Sequence, residues 1–208
     1  GQAVGYSDAD VYDVARCFTG WTVRDGHWQF PDQPEYDTGE FFYYANWHEE
    51  GPKFVLGQWI PPQGQLEAHV VMDRLASHPA TARHVCRKLC RRFIADSPPE
   101  DLVESAAALW QATWQAPDQI AQVMRHILTS DAMLNGSGAK VRRPFELLTA
   151  ALRKTSAEID PRVYDGWTPY GELFYRFEQT GHGSFRWPAP DGYPDSASRW
   201  TSASVMGQ

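Results

Sequence analysis

The sequence predicts a mainly α protein: a multi-helix domain with a small antiparallel β insert near the N-terminus and an aromatic, proline-rich C-terminal extension. Three observations predict it. After residue 61, apolar residues recur at three- and four-residue spacing, the pattern of helices with one buried face. Between residues 21 and 60 that period gives way to short aromatic and β-branched runs divided by turn formers. From Gly181 to Gln208 neither period holds, and Gly, Pro, Ser and aromatic residues take over.

The elements follow in order. Ser7-Asp8-Ala9-Asp10 opens a helix, because a Ser or Asp oxygen takes its orphan amide protons and acids suit its positive end. Val11, Val14, Ala15 and Phe18 form the apolar face, and Thr19-Gly20-Trp21 ends it. The insert at 21–60 holds Trp21, Val23, Trp28, Phe30, Phe41–Tyr44, Phe54–Leu56, Trp59 and Ile60, with turns at Asp25-Gly26, Pro31-Asp32, Thr38-Gly39 and Gly51-Pro52. Further helices are predicted over 65–77, 80–95, 100–113, 118–130, 144–157 and 170–180. Pro79, Pro98-Pro99-Glu100, Pro117-Asp118 and Pro144 supply start signals. Asn135-Gly136-Ser137-Gly138 reads as a joint, and 181–208 as an extended aromatic tail.

Composition narrows the function. The 208 residues fit a single domain, and 19 Lys and Arg against 26 Asp and Glu give a formal charge of −7. That charge argues against a nucleic-acid partner, whose phosphates an acidic chain repels. No apolar run approaches the roughly 20 residues of a membrane helix, so no membrane span is expected in this chain. Nine Trp, nine Tyr and ten Phe mark aromatic surface as part of the function. Cys17, Cys86 and Cys90 read as small buried hydrophobes, without zinc-finger spacing. No phosphate-binding glycine loop, dinucleotide fingerprint, zinc-protease helix or serine-hydrolase elbow appears, and no cofactor is predicted.

Four constellations carry chemistry. Trp47-His48-Glu49-Glu50-Gly51-Pro52-Lys53 places an imidazole, a carboxylate and an ammonium on one tight turn, as acid, base and clamp or as a charged hairpin tip. His78, ahead of Pro79, caps a helix or faces a cleft, and His84, Arg87, Lys88, Arg91 and Arg92 follow as a basic stripe that binds an anion or pairs with the surplus acids. Lys140-Val141-Arg142-Arg143 meets a helix N-terminus at Pro144. Phe185-Arg186-Trp187-Pro188, Asp191-Gly192-Tyr193 and Arg199-Trp200 form either a stacking platform or an aromatic clasp over the core.

Together these segments resemble one family, the bacterial domain of unknown function 1800 (DUF1800). Tyr6–Val11 with Ala15–Trp21 resembles its Y-[ST]-x-x-D-V…A-R-x-[LF]-T-G-W signature, and His48–Gly57 resembles H-D-x-G-x-K-x-[FI]-L-G. His78–Ala82 through Lys88-Leu89 and Arg92-Phe93 is similar to H-P-x-T-A…K-L…R-F. Lys140–Glu146 with Ala151-Leu152-Arg153 resembles K-x-x-x-P-x-E…A-L-R, and Phe185–Tyr193 resembles F-x-x-P-x-x-x-G-Y. The matches run in order over nearly the whole chain. Where the signature has Asp after the histidine, this chain has Glu49.

The resemblance implies export to the periplasm, cell surface or medium, and a sulfatase-like partner family, domain of unknown function 1501. It also implies a further Glu/His-rich segment ahead of Gly1. On that reading the chain is the C-terminal part of a larger protein, with the N-terminal part as its partner and an apolar groove left uncovered by its absence. It assigns no activity. Two functions stand side by side, a surface or export-associated partner-binding module and an exported hydrolase of a polymer such as a glycan. For the hydrolase, catalytic candidates are His48, Glu49, Lys53 and His78, with Asp195 as a further carboxylate; ligand-binding candidates are Trp47, Arg186, Trp187, Asp191, Tyr193 and Trp200. A metal site drawn from His48, Glu49, Glu67, His69, His78 and His84 ranks last, its spacings matching no ligand pattern.

Overall fold

The computed structural model describes residues 5–25, 37–136, 138, 140–158 and 169–201. Trp28, Phe30 and the rest of 26–36, and the tail from 202, lie outside the described residues. The protein is mainly α, with short antiparallel strands near the N-terminus. It gathers into two compact units, Gly1–Thr81 and Ala82–Gln208.

In the first unit α1 (Asp8–Cys17) opens with a reciprocal cap. The Asp10 amide donates to Ser7 Oγ at 3.3 Å, and Asp10 Oδ2 accepts from the Ser7 amide at 2.7 Å. Strands β1 (Trp21–Asp25) and β2 (Asp37–Tyr43) pair antiparallel, Trp21 opposite Tyr43. Strands β3 (Lys53–Val55) and β4 (Gln58–Ile60) form a second hairpin around Leu56 and Gly57. Both turn residues have positive φ, 52° and 71°, which matches the right-handed twist of a two-residue hairpin. Among the described residues the insert is therefore two strand pairs, β1 with β2 and β3 with β4.

Acids on α1 pin the second hairpin to it. Asp13 Oδ2 accepts the Phe54 amide at 2.7 Å and Asp10 Oδ1 the Leu56 amide at 2.5 Å. Helix α2 (Gln65–Ala76) closes the other side, Arg74 donating to the carbonyls of Val55 and Gln58 at 2.7 and 3.1 Å. Cys17, Val55, Ile60 and Val71 fill the core between these elements. Tyr6, Val11, Val14, Val55, Leu56 and Leu75 line an open apolar hollow of about 250 Å³ beside α1.

In the second unit the core lies among α3 (Pro79–Phe93), α4 (Glu100–Ala112) and α5 (Gln119–Leu128). Cys86, Cys90, Val103, Ala106, Val123 and Ile127 are fully buried there. The three cysteines are free thiols and buried, and burial pushes Cys86 up to about 11, unsuited to nucleophilic work at neutral pH. A short α6 (Asp131–Leu134) precedes α7 (Pro144–Lys154) and α8 (Pro169–Gln179). Each expected helix is present, with ends moved by up to three residues. α6 and α9 (Ala197–Trp200), of four residues each, are too short to leave a readable period.

Candidate functional site

The turn from Trp47 to Lys53 folds inward. Ala45–Trp47 forms one 3-10 turn, and the chain then passes beneath the end of α1. His48 Nδ1 lies 2.9 Å from the Thr19 carbonyl and 3.3 Å from Thr19 Oγ1, and the Glu49 amide donates to that hydroxyl at 2.9 Å. Gly20 permits this approach. Its φ is +83°, and a Cβ there would stand 2.8 Å from the Tyr43 ring and 2.9 Å from the Tyr44 carbonyl.

Lys53 is the centre of the cluster. Its Nζ donates to the carbonyls of Glu49 and Gly51, the latter at 3.2 Å, and lies 2.8 Å from Glu67 Oε2. His48 Nε2 lies 3.2 Å from Glu67 Oε1. Both contacts lie within 3.2 Å but off ideal hydrogen-bond alignment. Glu67 Oε1 also accepts the Gln63 and Gly64 amides at 3.0 and 3.3 Å, where α2 begins. Burial pushes the Glu67 carboxyl up, and Lys53, the Gln63 amide and His48 outweigh it, leaving it below its ordinary value.

None of this trio meets solvent. The side chains of His48, Lys53 and Glu67 are 3%, 1% and 1% exposed. Glu49 stays outside, its carboxylate 2.7 Å from Arg16, which also reaches Asp13 at 2.7 Å. Lys53, buried against two carbonyls and two carboxylates, Glu67 and, at 3.4 Å, Glu49, pins the turn to the start of α2. His78 does not join the trio. Its Nδ1 accepts the Ala80 amide at 3.1 Å and caps α3. His69 packs against Trp21, ring centroids 5.1 Å apart. Among the described residues, no group of three His, Cys, Asp or Glu side chains is placed to hold a metal ion.

The second unit holds an open cavity of about 540 Å³. His84, Lys88 and Arg91 line it from α3, Arg143 from the start of α7, and Asp191 and Tyr193 from the chain after α8. A charge lattice fixes its walls. Arg92 pairs with Glu146 and, at 3.0 Å, with Asp195; Arg143 reaches Glu146 at 2.8 Å and Asp195 at 3.5 Å. Lys140 meets Asp96 Oδ1 and the Asp195 carbonyl, each at 2.5 Å, and Asp96 Oδ2 accepts the Ala197 amide at 2.6 Å. Burial pushes Glu146 up, but Arg92 and Arg143 draw it down to about 2. Three sequence segments far apart in the chain, 84–92, 140–146 and 191–195, thus meet around one hollow.

With the hollow and its segments in place, comparison with known proteins is decisive on one point. The profile of the family described as "Protein of unknown function (DUF1800)" matches residues 1–208. The chain belongs to that family. No curated protein and no solved structure matches it. The DUF1800 signatures divide by geometry. In the first unit they build the Gly20 contact, the Lys53 pin and the Leu56-Gly57 turn; in the second they build the cavity walls.

The aromatic candidates serve the second unit's own packing. Tyr193 donates to the Gly183 carbonyl at 2.7 Å and packs on His182, centroids 4.5 Å apart; Trp200 packs on the same ring at 4.7 Å and donates to the Pro194 carbonyl at 2.8 Å. Trp187 donates to Asp191 Oδ1 at 2.8 Å, packs on Tyr193 at 5.0 Å and carries Arg199 over its ring. Arg186 is exposed, paired with Glu178 at 3.3 Å. Trp47 stands in the first unit, edge-on to Tyr44 at 5.1 Å. Sequence reasoning placed Glu67 only among metal candidates and missed it as the partner of Lys53. It also did not separate Lys88 and Arg91 from the paired arginines. Register does not separate them, since Arg91 stands one turn from Arg87 and Lys88 one turn from Arg92; the placement of Glu100, Glu146 and Asp195 does.

Proposed function

We propose that this chain is a partner-binding or assembly module of an exported bacterial protein, and that the cavity of the second unit holds the partner. One observation carries the reading. The reactive-looking trio His48, Lys53 and Glu67 is sealed from solvent, while the widely separated segments of the second unit converge on an open, rigidly walled cavity. Export rests on the family resemblance. So do the partners, the N-terminal part of the same polypeptide and a sulfatase-like protein of the domain of unknown function 1501 family.

A second reading, an exported hydrolase of a polymer such as a glycan, draws on Asp191 and Asp195, which both line the cavity. Against it, Asp195 is committed to Arg92 and Arg143, and the aromatic rings a sugar would stack on pack on one another.

The test is co-expression of the full-length protein with the sulfatase-like protein, followed by size exclusion. Lys88→Trp, on an exposed helical position, fills the cavity without touching the core. Loss of the complex with melting unchanged supports the module. A complex that tolerates the filled cavity overturns it, as does release of reducing ends from a polymer that Asp191→Asn abolishes.

A further inference from the structure

The basic stripe of α3 is neutralised everywhere except at the cavity. Arg83 pairs with Glu100 and Glu104, each at 2.6 Å, Arg87 with Glu100 at 2.5 Å, and Arg92 with Glu146 and Asp195. Lys88 and Arg91 have no carboxylate at ion-pair distance among the described residues; Arg91 has one hydrogen bond, to the Asp96 carbonyl at 3.3 Å. These are the two that line the hollow, with His84 one turn before Lys88. In a chain of net charge −7, acids to neutralise them are plentiful, so their isolation is a property of this place.

The surroundings favour charge recognition over stacking. Arg143 also lines the hollow, but it is paired with Glu146 and Asp195, so Lys88 and Arg91 are the cations left to a ligand. Among the described residues lining the cavity, the carboxylate outside that lattice, Asp191, accepts the Trp187 indole N–H at 2.8 Å. Tyr193 packs against His182 and Trp200 and Arg199 lies over Trp187, and both rings also line a separate open hollow of about 520 Å³ with Arg186, so what they offer faces away from Lys88 and Arg91. A hollow of about 540 Å³ accommodates two or three side chains of an extended peptide, roughly one unit of the size typical of ligand pockets.

We infer that the cavity receives an acidic peptide segment, whose carboxylates pair with Lys88 and Arg91. This rests on the cavity being the partner-binding surface. It adds the chemistry of what enters: two carboxylates about one helical turn apart along the stripe, supplied by an Asp/Glu-rich segment of the partner.

The experiment is fluorescence anisotropy with the whole chain and a labelled octapeptide of alternating Asp and Ser. The same peptide with Asn for Asp, and polygalacturonate as an acidic glycan, serve as the other arms. The acidic peptide should bind with an affinity that falls as salt rises, and Lys88→Ala/Arg91→Ala should weaken it by about tenfold or more. Arg83→Ala/Arg87→Ala, which removes paired cations outside the hollow, should leave binding unchanged. Equal binding of the Asn peptide overturns the inference, as does indifference to Lys88 and Arg91. Tighter binding of polygalacturonate than of the peptide overturns it in favour of a glycan. If the sulfatase-like partner binds, is displaced by Lys88→Trp, and ignores Lys88→Ala/Arg91→Ala, the module reading survives and this inference fails. If the acidic peptide binds as stated but Lys88→Trp leaves the partner complex intact, the module reading fails instead.

Discussion

Replacing Lys53 by methionine keeps the length of the side chain and removes its charge, which isolates what the buried pin contributes. In the native protein Nζ touches Glu67 Oε2 at 2.8 Å and the Gly51 carbonyl at 3.2 Å, with both charged side chains 1% exposed. Without it Glu67 stays buried, supported by two backbone amides and His48. An uncompensated buried charge costs about 3–5 kcal/mol. A chain of this size loses about 2–4 °C of melting temperature per kcal/mol, so the expected drop is roughly 6–20 °C at pH 7. Replacing both partners, Lys53→Met with Glu67→Leu, should recover part of that loss, because the buried charge is gone while the Gln63 and Gly64 amides and His48 lose their acceptor.

The pH dependence has a defined sign. The folded Glu67 carboxyl lies below its ordinary value of 4.5, so the pair's contribution is complete above that value and is lost as pH falls through the folded one. In Lys53→Met, burial without the ammonium pushes the same carboxyl up, and it takes a proton more readily. The deficit of the variant relative to the native protein should therefore narrow between pH 7 and pH 4. Thermal unfolding followed by near-ultraviolet circular dichroism measures all three quantities. A loss under about 1 kcal/mol, the range of exposed ion pairs, would refute the buried pin. So would a double variant whose cost is the sum of the two singles.

Gly20→Ala should destabilise by about 2 kcal/mol or more, since positive φ and contacts at 2.8 and 2.9 Å both oppose a Cβ; denaturant unfolding measures it. Ser7→Ala should cost about 1 kcal/mol by removing the acceptor for the Asp10 amide, read in the same way. His182 accepts the Phe145 amide at 3.2 Å, and burial, with Arg143 and Arg92, holds its pKa below the ordinary 6.5 against the opposing pull of Glu146 and Asp195. The neutral ring is favoured on folding, so stability is complete above 6.5 and falls as pH drops through 6.5 toward the folded value. His182→Asn, which keeps an acceptor for Phe145, should flatten the difference in unfolding free energy between pH 7.5 and pH 5.5.

Local chemistry is what the sequence by itself determined. Ser7 and Asp10 sit at cap spacing, Pro79 and Pro144 fix helix starts, and the apolar period marks α2 to α5, α7 and α8, because caps, prolines and one-sided burial act over a turn or two of chain. The Leu56-Gly57 turn was not legible, because Leu56 reads as the end of the Phe54–Leu56 run; a leucine at positive φ breaks the usual turn chemistry, and the Asp10 contact with its amide shows what holds it. The family was legible, since its signatures are local runs in a fixed order.

Tertiary structure decided which charges are free. Lys53 read as a surface clamp on a charged turn, and its burial depends on Glu67, which lies fourteen residues on and belongs to a different element. His78 reads equally well as cleft residue or cap, and its Nδ1 accepts the Ala80 amide at 3.1 Å, the contact a cap makes. Arg87 and Lys88 are neighbours in sequence with the same charge. Helical geometry turns one toward Glu100, and the other into a cavity whose far wall lies about a hundred residues away. Coulomb energy depends on distance and burial, neither of which a linear sequence carries, so the paired and the unpaired cations could be told apart only after the chain had closed around them.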